Sequence, residues 1–198
     1  MRQDAEADYF RCGNLGAGTP GLTFGGSFVN VAGITDGLSN TAAFSERVKA
    51  IGSNIGPNAP FDPMQPTSSI AVPPAVDNKL EGSAQAYYNI CKLTPPTPDP
   101  GTGQNLANVR GNDDNIAGAM WASGQPALTR YVHVMTPNMW SCRSGLQIAH
   151  TASSHHPGVV NVLFCDGSVK AIKSSINAPT WWALGSRAGG EVISADSY

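Results

Sequence analysis

Cys165, His156 and Asp166 are the residue types of a nucleophile, a general base and its orienting acid, and they lie close together in the last quarter of the chain. A Cys-His-Asp system works only when the three groups come within hydrogen-bond reach of one another. Adjacent residues of a regular strand point to opposite faces, so Cys165 and Asp166 cannot both aim at one imidazole. Asp166 is also accounted for by the Asp166-Gly167 pair, a strong turn signal between apolar runs. No catalytic residue is assigned, and the chain is not expected to be an enzyme.

His150, His155, His156 and Asp166 could instead be ligands of a divalent transition metal. Their spacing matches no zinc pattern, and a histidine hydrogen-bonded to a loop carbonyl is the ordinary alternative. Asp36, Asp113 and Asp114 offer oxygen ligands for calcium but lack EF-hand spacing. No metal or cofactor is assigned. Trp121, Trp140, Trp181 and Trp182, with five tyrosines, could form a sugar-stacking surface. Trp181 and Trp182 are neighbours on a helix, about 100° apart, so one of them is expected to be at least partly exposed. They are the candidate binding residues, with a glycan as the candidate ligand. Phosphate loops, Ser-His-Asp triads and dinucleotide-binding glycines are absent as motifs.

The composition narrows the classes further. Among 198 residues, 41% are hydrophobic, enough for a core, while only 13% are charged. With 22 glycines and 15 prolines, turns and short strands are favoured over long helices. A net charge of −2 without a basic cluster removes the electrostatic footprint of nucleic-acid binding. No apolar run is long enough to span a membrane, so no membrane contact is expected of this fragment. Met1 precedes a polar stretch rather than a signal peptide, so an export segment is expected to have been removed or left out of this sequence.

Cys12, Cys91, Cys142 and Cys165 form no Cys-x-x-Cys pair, which argues against a structural zinc or a thioredoxin-like motif. An even number in a charge-poor chain fits two disulfides outside the cytosol. Cys142 with Cys165 would staple the loop at 136–143 to the hairpin, leaving Cys12 with Cys91. Four buried free thiols are the alternative.

The elements that must position these residues follow from local pattern. Residues 9–33 read as short strands and turns, and 34–40 as a turn or a single helical turn. Residues 41–48 alternate as a strand with Ala42, Phe44 and Val48 on one face, which also turns Glu46 inward. An inward Glu is costly unless it is bonded or paired. Residues 52–74 and 101–118 are loop-like. A helix capped by Asp77 or Asn78 carries Leu80, Ala84, Tyr87, Tyr88 and Cys91 at helical spacing and stops before the prolines at 95, 96 and 98. Residues 120–135 read as strand-rich, and 155–173 as a β-hairpin. Asn177 starts a short helix at 178–187, with Pro179 in its first turn and Gly189-Gly190 ending it. No domain boundary interrupts residues 1–198.

The run His-Pro-Gly-Val-Val-Asn-Val-Leu-Phe-Cys-Asp-Gly-Ser-Val-Lys from His156 resembles a bacterial family with a C-terminal His-x9-Asp-Gly motif. This is the domain-of-unknown-function 1559 family, whose members look like prepilins. Ile-Thr-Asp-Gly-Leu-Ser-Asn-Thr at 34–41 with Glu46 after it, Thr-Pro-Asn-Met-Trp-Ser-Cys at 136–142, and the Thr-Trp-Trp-Ala-Leu-Gly segment at 180–185 with its continuation to Tyr198 match as well. Members begin with a type IV prepilin leader and a long hydrophobic helix, so the resemblance here covers the globular head.

The resemblance implies a pilin-like α+β head with an antiparallel sheet, a C-terminal hairpin, one or two short helices and long Gly/Pro-rich loops. It implies export to the periplasm or cell surface, and self-association or assembly with other pilin-like subunits. A structural role in an extracellular or periplasmic filament or secretion system is the leading expectation. An extracellular polysaccharide- or solute-binding module is the alternative. His156, Asp166, Gly167, Asp36, Asn40 and Glu46 occupy the signature positions, read as architectural.

Overall fold

The computed structural model describes residues 30–48, 84–95, 131–144, 147–194 and 197, and the short strands at 14–15, 24–25 and 70–71. In chain order the strands are β1 (Asn14–Leu15), β2 (Phe24–Gly25), β3 (Ala42–Ser45), β4 (Ile70–Ala71), β5 (Ser141–Ser144), β6 (Gln147–Ala149), β7 (Val159–Phe164) and β8 (Val169–Lys173). Two helices, α1 (Ala84–Lys92) and α2 (Ala178–Leu184), complete an α+β fold. The expected helix caps at Asp77 and Asn78, most of the loops at 52–74 and 101–118, and residues 120–130 lie outside the described residues.

The hairpin β7–β8 organises the structure. Val160, Val162 and Phe164 alternate inward along β7 and pack with Ile172 of β8, while Val159, Asn161 and Leu163 face the other way. β3 joins on the far side of β7, giving an antiparallel sheet of order β3-β7-β8. The Asp-Gly signal produces a loop one residue longer than a two-residue turn. Gly167 donates to the Phe164 carbonyl (3.0 Å), and Phe164 donates to that of Ser168 (2.8 Å). Cys165, Asp166 and Gly167 therefore form a three-residue connection whose last residue alone has positive φ, +85° at Gly167.

β3 departs from the expected alternation. Ala42 pairs with Phe164, but Phe44 pairs with Leu163, so a bulge at Ala43 shifts the register by one. Beyond the bulge Phe44 and Glu46 change face, while Val48, past the end of the strand, is buried as expected. Phe44, expected in the core, is 62% exposed, and Glu46 follows it outward. Glu46 is half-buried there, and its hydrogen bonds more than offset the cost of that burial.

α2 covers the inner face of this sheet. Trp181 and Leu184 are fully buried with Val160, Val162, Phe164 and Ile172. Asn177 stands extended at the helix start without a side-chain cap bond, and the helix ends at Leu184, with Gly185 as its C-cap, earlier than expected. A second cluster holds Cys91, Val134, Met135, Cys142 and Ala149, bordered by Tyr87 and Trp140. It lies beside a mixed sheet in which β4 is parallel to β5 and β5 antiparallel to β6. Residues 131–135, expected in a strand, carry none.

The disulfide pairing expected from sequence is corrected. Cys91 of α1 is bonded to Cys142 of β5, with a Cα–Cα separation of 5.8 Å. Both belong to the second cluster, whereas Cys165 sits at the tip of the hairpin, where its amide donates to the Thr41 carbonyl (3.0 Å). Cys165 is a free thiol. Cys12 lies outside the described residues, and its expected partner Cys91 is taken.

Candidate functional site

The signature residues gather at the two ends of the hairpin and on the segment leading into β3. At the tip, Asp166 Oδ1 accepts from the Ser168 amide (2.9 Å) and hydroxyl (2.7 Å). These bonds hold the carboxyl below its usual range against a small opposing effect of burial. The Asp166 amide donates to the Leu38 carbonyl, so the tip is docked on the turn at 38–40. Burial, and then the Asp166 charge, push the Cys165 thiol up to about 11. A thiol so placed is protonated at neutral pH and is a poor nucleophile.

The segment at 30–41 is tied to the chain beyond α2. Asp36 accepts from two successive amides, Gly189 to Oδ2 at 2.8 Å and Gly190 to Oδ1 at 2.9 Å. Its own amide and that of Thr35 donate to the Arg187 carbonyl, while Arg187 Nη1 donates to the Gly33 carbonyl (3.0 Å). Asn40 closes the turn through its amide to the Gly37 carbonyl and its side chain to that of Asp36. Asp36 is thus engaged as an anchor. Asp113 and Asp114, its companions in the calcium reading, lie outside the described residues.

At the base of the hairpin the outward turn of Glu46 brings it to Asn161. Glu46 Oε2 accepts from the Asn161 amide (2.9 Å) and Oε1 from the Asn161 side chain (3.0 Å). His156 Nε2 stands 3.4 Å from the same Oε1. The loop carrying His156 is fixed in turn. Ser154 Oγ accepts from the His156 amide and donates to the Val159 carbonyl, and Asn138 Oδ1 accepts from the Ser154 amide. Asn138 has a φ of 63°, a conformation that Asn tolerates better than most residues.

These positions separate the groups that a catalytic or metal reading would join. Glu46, and with it His156, is level with Asn161, four to five strand residues from Cys165 and Asp166. At 3.3 Å per residue that is roughly 13–16 Å. His150 is buried elsewhere, its Nδ1 accepting from Arg47 Nη2 (3.0 Å). Among the described residues no three His, Cys, Asp or Glu side chains are grouped to hold a metal ion.

The expectation that Trp181 or Trp182 is exposed is also corrected. Trp181 is 0% and Trp182 7% exposed, because Trp182 packs into the same cluster as Trp181 and is covered by Tyr88 and Val134. The Trp181 ring stacks on His133 at 3.8 Å. Trp182 Nε1 donates to the Val134 carbonyl (2.8 Å), and its ring meets Tyr88 edge-on. Neither can stack on a sugar. His133, which the sequence reading did not single out, is the most perturbed imidazole described. Burial depresses it to about 3, although its bond to the Trp181 carbonyl opposes this. A carbonyl only accepts, so His133 Nδ1 carries the proton at 2.8 Å, and Nε2 is left to accept from the Tyr131 hydroxyl at 3.3 Å.

The signature segments therefore meet in one framework, with the hairpin at its centre. A family model described as "Protein of unknown function (DUF1559)" matches residues 6–179. The chain belongs to this family. No curated protein and no solved structure is significantly similar to it. Within this DUF1559 chain each signature residue is engaged in a turn, an anchor or a cross-strand bond. Asn161 and Asn138, which sequence reasoning left unassigned, supply partners for two of those bonds. The only signals for them were a polar residue amid the apolar run at 159–164 and a Pro-Asn turn pair at 137–138.

Proposed function

We propose that the chain is the non-enzymatic head of a pilin-like subunit, built to assemble with like subunits in a filament or secretion system outside the cytoplasm. One observation carries the reading. The signature residues Asp36, Asn40, Glu46, His156, Asp166 and Gly167 are occupied in intramolecular structure rather than converging on a pocket. What the family pattern specifies in this chain is thus a framework. Two further features support the reading. The Cys91–Cys142 bond suits an oxidising compartment. No described helix is long and apolar enough to cross a membrane, so anchoring would fall to a segment outside the head.

The alternative, a polysaccharide- or solute-binding module using exposed aromatics and loop Asn and Asp groups, loses its candidate residues Trp181 and Trp182 to the core. The test is to express the gene with its native 5′ end in an exporting host and examine cells and culture medium by electron microscopy. Filaments that carry the head are expected. A secreted protein that stays monomeric and never enters an assembly would overturn the proposal.

A further inference from the structure

The bulge at Ala43 does more than correct a register. Regular alternation would bury Phe44 with Ala42; the extra residue instead sends an aromatic side chain into solvent. Bulges that re-aim a side chain are features of a strand, not faults in it. Phe44 lands beside Leu163, and Leu163 beside Val169, which is 64% exposed. Three apolar side chains thus form a row across all three strands on the face turned away from α2. The other large exposed apolar residues described, Val31, Leu93 and Val192, lie outside this sheet.

The charges around the row are divided between the two edge strands. On the β3 side stands Glu46, level with Asn161 and bonded to it. His156 lies 3.4 Å from its carboxylate, whose remaining lone pairs are open to a further donor. On the β8 side stands Lys173, exposed and paired with Val159 on the same face. The row is apolar at both ends, and the edges carry opposite charges. Such a face is complementary to itself.

We infer that the outer face of the β3-β7-β8 sheet is a contact surface for a second copy of this chain. This deepens the assembly reading above and rests on it for the choice of a like subunit. A two-fold axis parallel to β7 places β3 of each copy over β8 of the other. Phe44 then meets the partner's Val169, and Leu163 meets its own counterpart. Glu46 of one copy comes within reach of the partner's Lys173, whose level is two residues along the strand, about 7 Å, spanned by a four-carbon stem. Three strands at 4.8 Å spacing make a narrow face. The isolated pair is accordingly weak, with Kd on the order of 10⁻⁴ M, and gains strength by repetition in an array.

Sedimentation equilibrium of the disulfide-intact chain, taken to about 1 mM, reads the association directly. Phe44→Ser and Lys173→Glu are each expected to weaken it at least tenfold while leaving the circular-dichroism melt unchanged. Glu46→Lys alone should also abolish it, and mixing the Glu46→Lys and Lys173→Glu chains should restore it, because both cross-pairs are then opposite in sign. A chain that is monomeric throughout overturns the inference, as does association indifferent to Phe44 and Lys173. Failure of the mixture to associate rejects this pairing as well. Filaments formed equally well by a leader-bearing Phe44→Ser protein would sink this surface while leaving the filament reading standing.

Discussion

Glu46 holds Asn161 at two points, one carboxylate oxygen on the backbone amide and the other on the side-chain amide. The bond joins β3 to β7 beyond the last regular pair, at the place where the Ala43 bulge has turned Glu46 outward. A single acceptor thereby replaces the carbonyl that a longer β3 would have offered to the Asn161 amide.

The Glu46 carboxyl is accordingly expected to titrate below its usual value. Burial raises its pKa, but the Asn161 bonds and the neighbouring His156 lower it by more. A carboxyl depressed in the folded state stabilises above the unfolded pKa of about 4.3 and loses that contribution as pH falls through the folded one. Carbon-detected NMR titration should give a Glu46 midpoint below 4.5, moving upward in Asn161→Ala. Glu46→Gln, which keeps the shape but loses the charge, should cost about 1 kcal/mol in urea unfolding at pH 7. A Glu46 midpoint at or above 4.5 would refute the assignment.

His133 makes a larger contribution with the same sign. Its folded pKa is depressed to about 3, against 6.5 for a free imidazole. Between those values the unfolded chain binds a proton that the folded chain does not, so stability falls as pH falls, by about 1.4 kcal/mol per pH unit. Urea unfolding at pH 7 and pH 4.5 should therefore differ by roughly 2–3 kcal/mol more in the wild type than in His133→Gln. Gln can still donate to the Trp181 carbonyl. Equal pH dependence in the two proteins would show that His133 is accessible to protons.

The thiol pattern can be checked by labelling. Lifting the Cys165 pKa from 9.0 to about 11 lowers its thiolate fraction about 100-fold near pH 8. A higher-pKa thiolate is also several-fold more nucleophilic. The Cys165 peptide of the native protein should therefore react with iodoacetamide about tenfold more slowly than in urea, and Cys91 and Cys142 only after reduction. A Cys142–Cys165 cross-linked peptide would contradict the structure.

Removing the disulfide tests what holds the second cluster. Cys91 and Cys142 close a loop with a sequence separation of 51, for which the chain-entropy relation gives about 4 kcal/mol. Cys91→Ser with Cys142→Ser should lower Tm by roughly 8–12 °C in a chain of this size. Cys165→Ser should leave it nearly unchanged.

The hairpin, α2 and the burial of Val160, Val162 and Phe164 were legible in the sequence because each follows from a local period and a turn signal. The disulfide was not, because which cysteines meet depends on packing between β5 and α1, which share no sequence neighbourhood. The burial of both Trp181 and Trp182 was hidden for a related reason. Helical geometry separates adjacent residues by about 100°, but it does not say that Tyr88 and Val134, far away in sequence, cover the second side. Glu46 and Phe44 were assigned to the wrong face because a bulge has no reliable sequence signal, and one extra residue inverts the strand residues just beyond it.

That inversion supplies the last prediction. Ala43 is the residue without a partner on β7, so deleting it leaves Ala42 opposite Phe164 and Phe44 opposite Leu163. Alternation along β3 becomes regular, with Ala42 still inward and Phe44 and Glu46 still outward. The core set of Ala42, Val160, Val162 and Trp181 is untouched, and Glu46 keeps its level with Asn161. The deletion should therefore cost no more than about 1 kcal/mol in urea unfolding. Phe44→Ser likewise touches only the exposed face and should change stability by no more than about 0.5 kcal/mol. In a strand without the bulge the same deletion would swing Phe44 out of the core. A loss of ~3 kcal/mol or more on deletion, or a severe Phe44→Ser, would therefore show the bulge to be wrong.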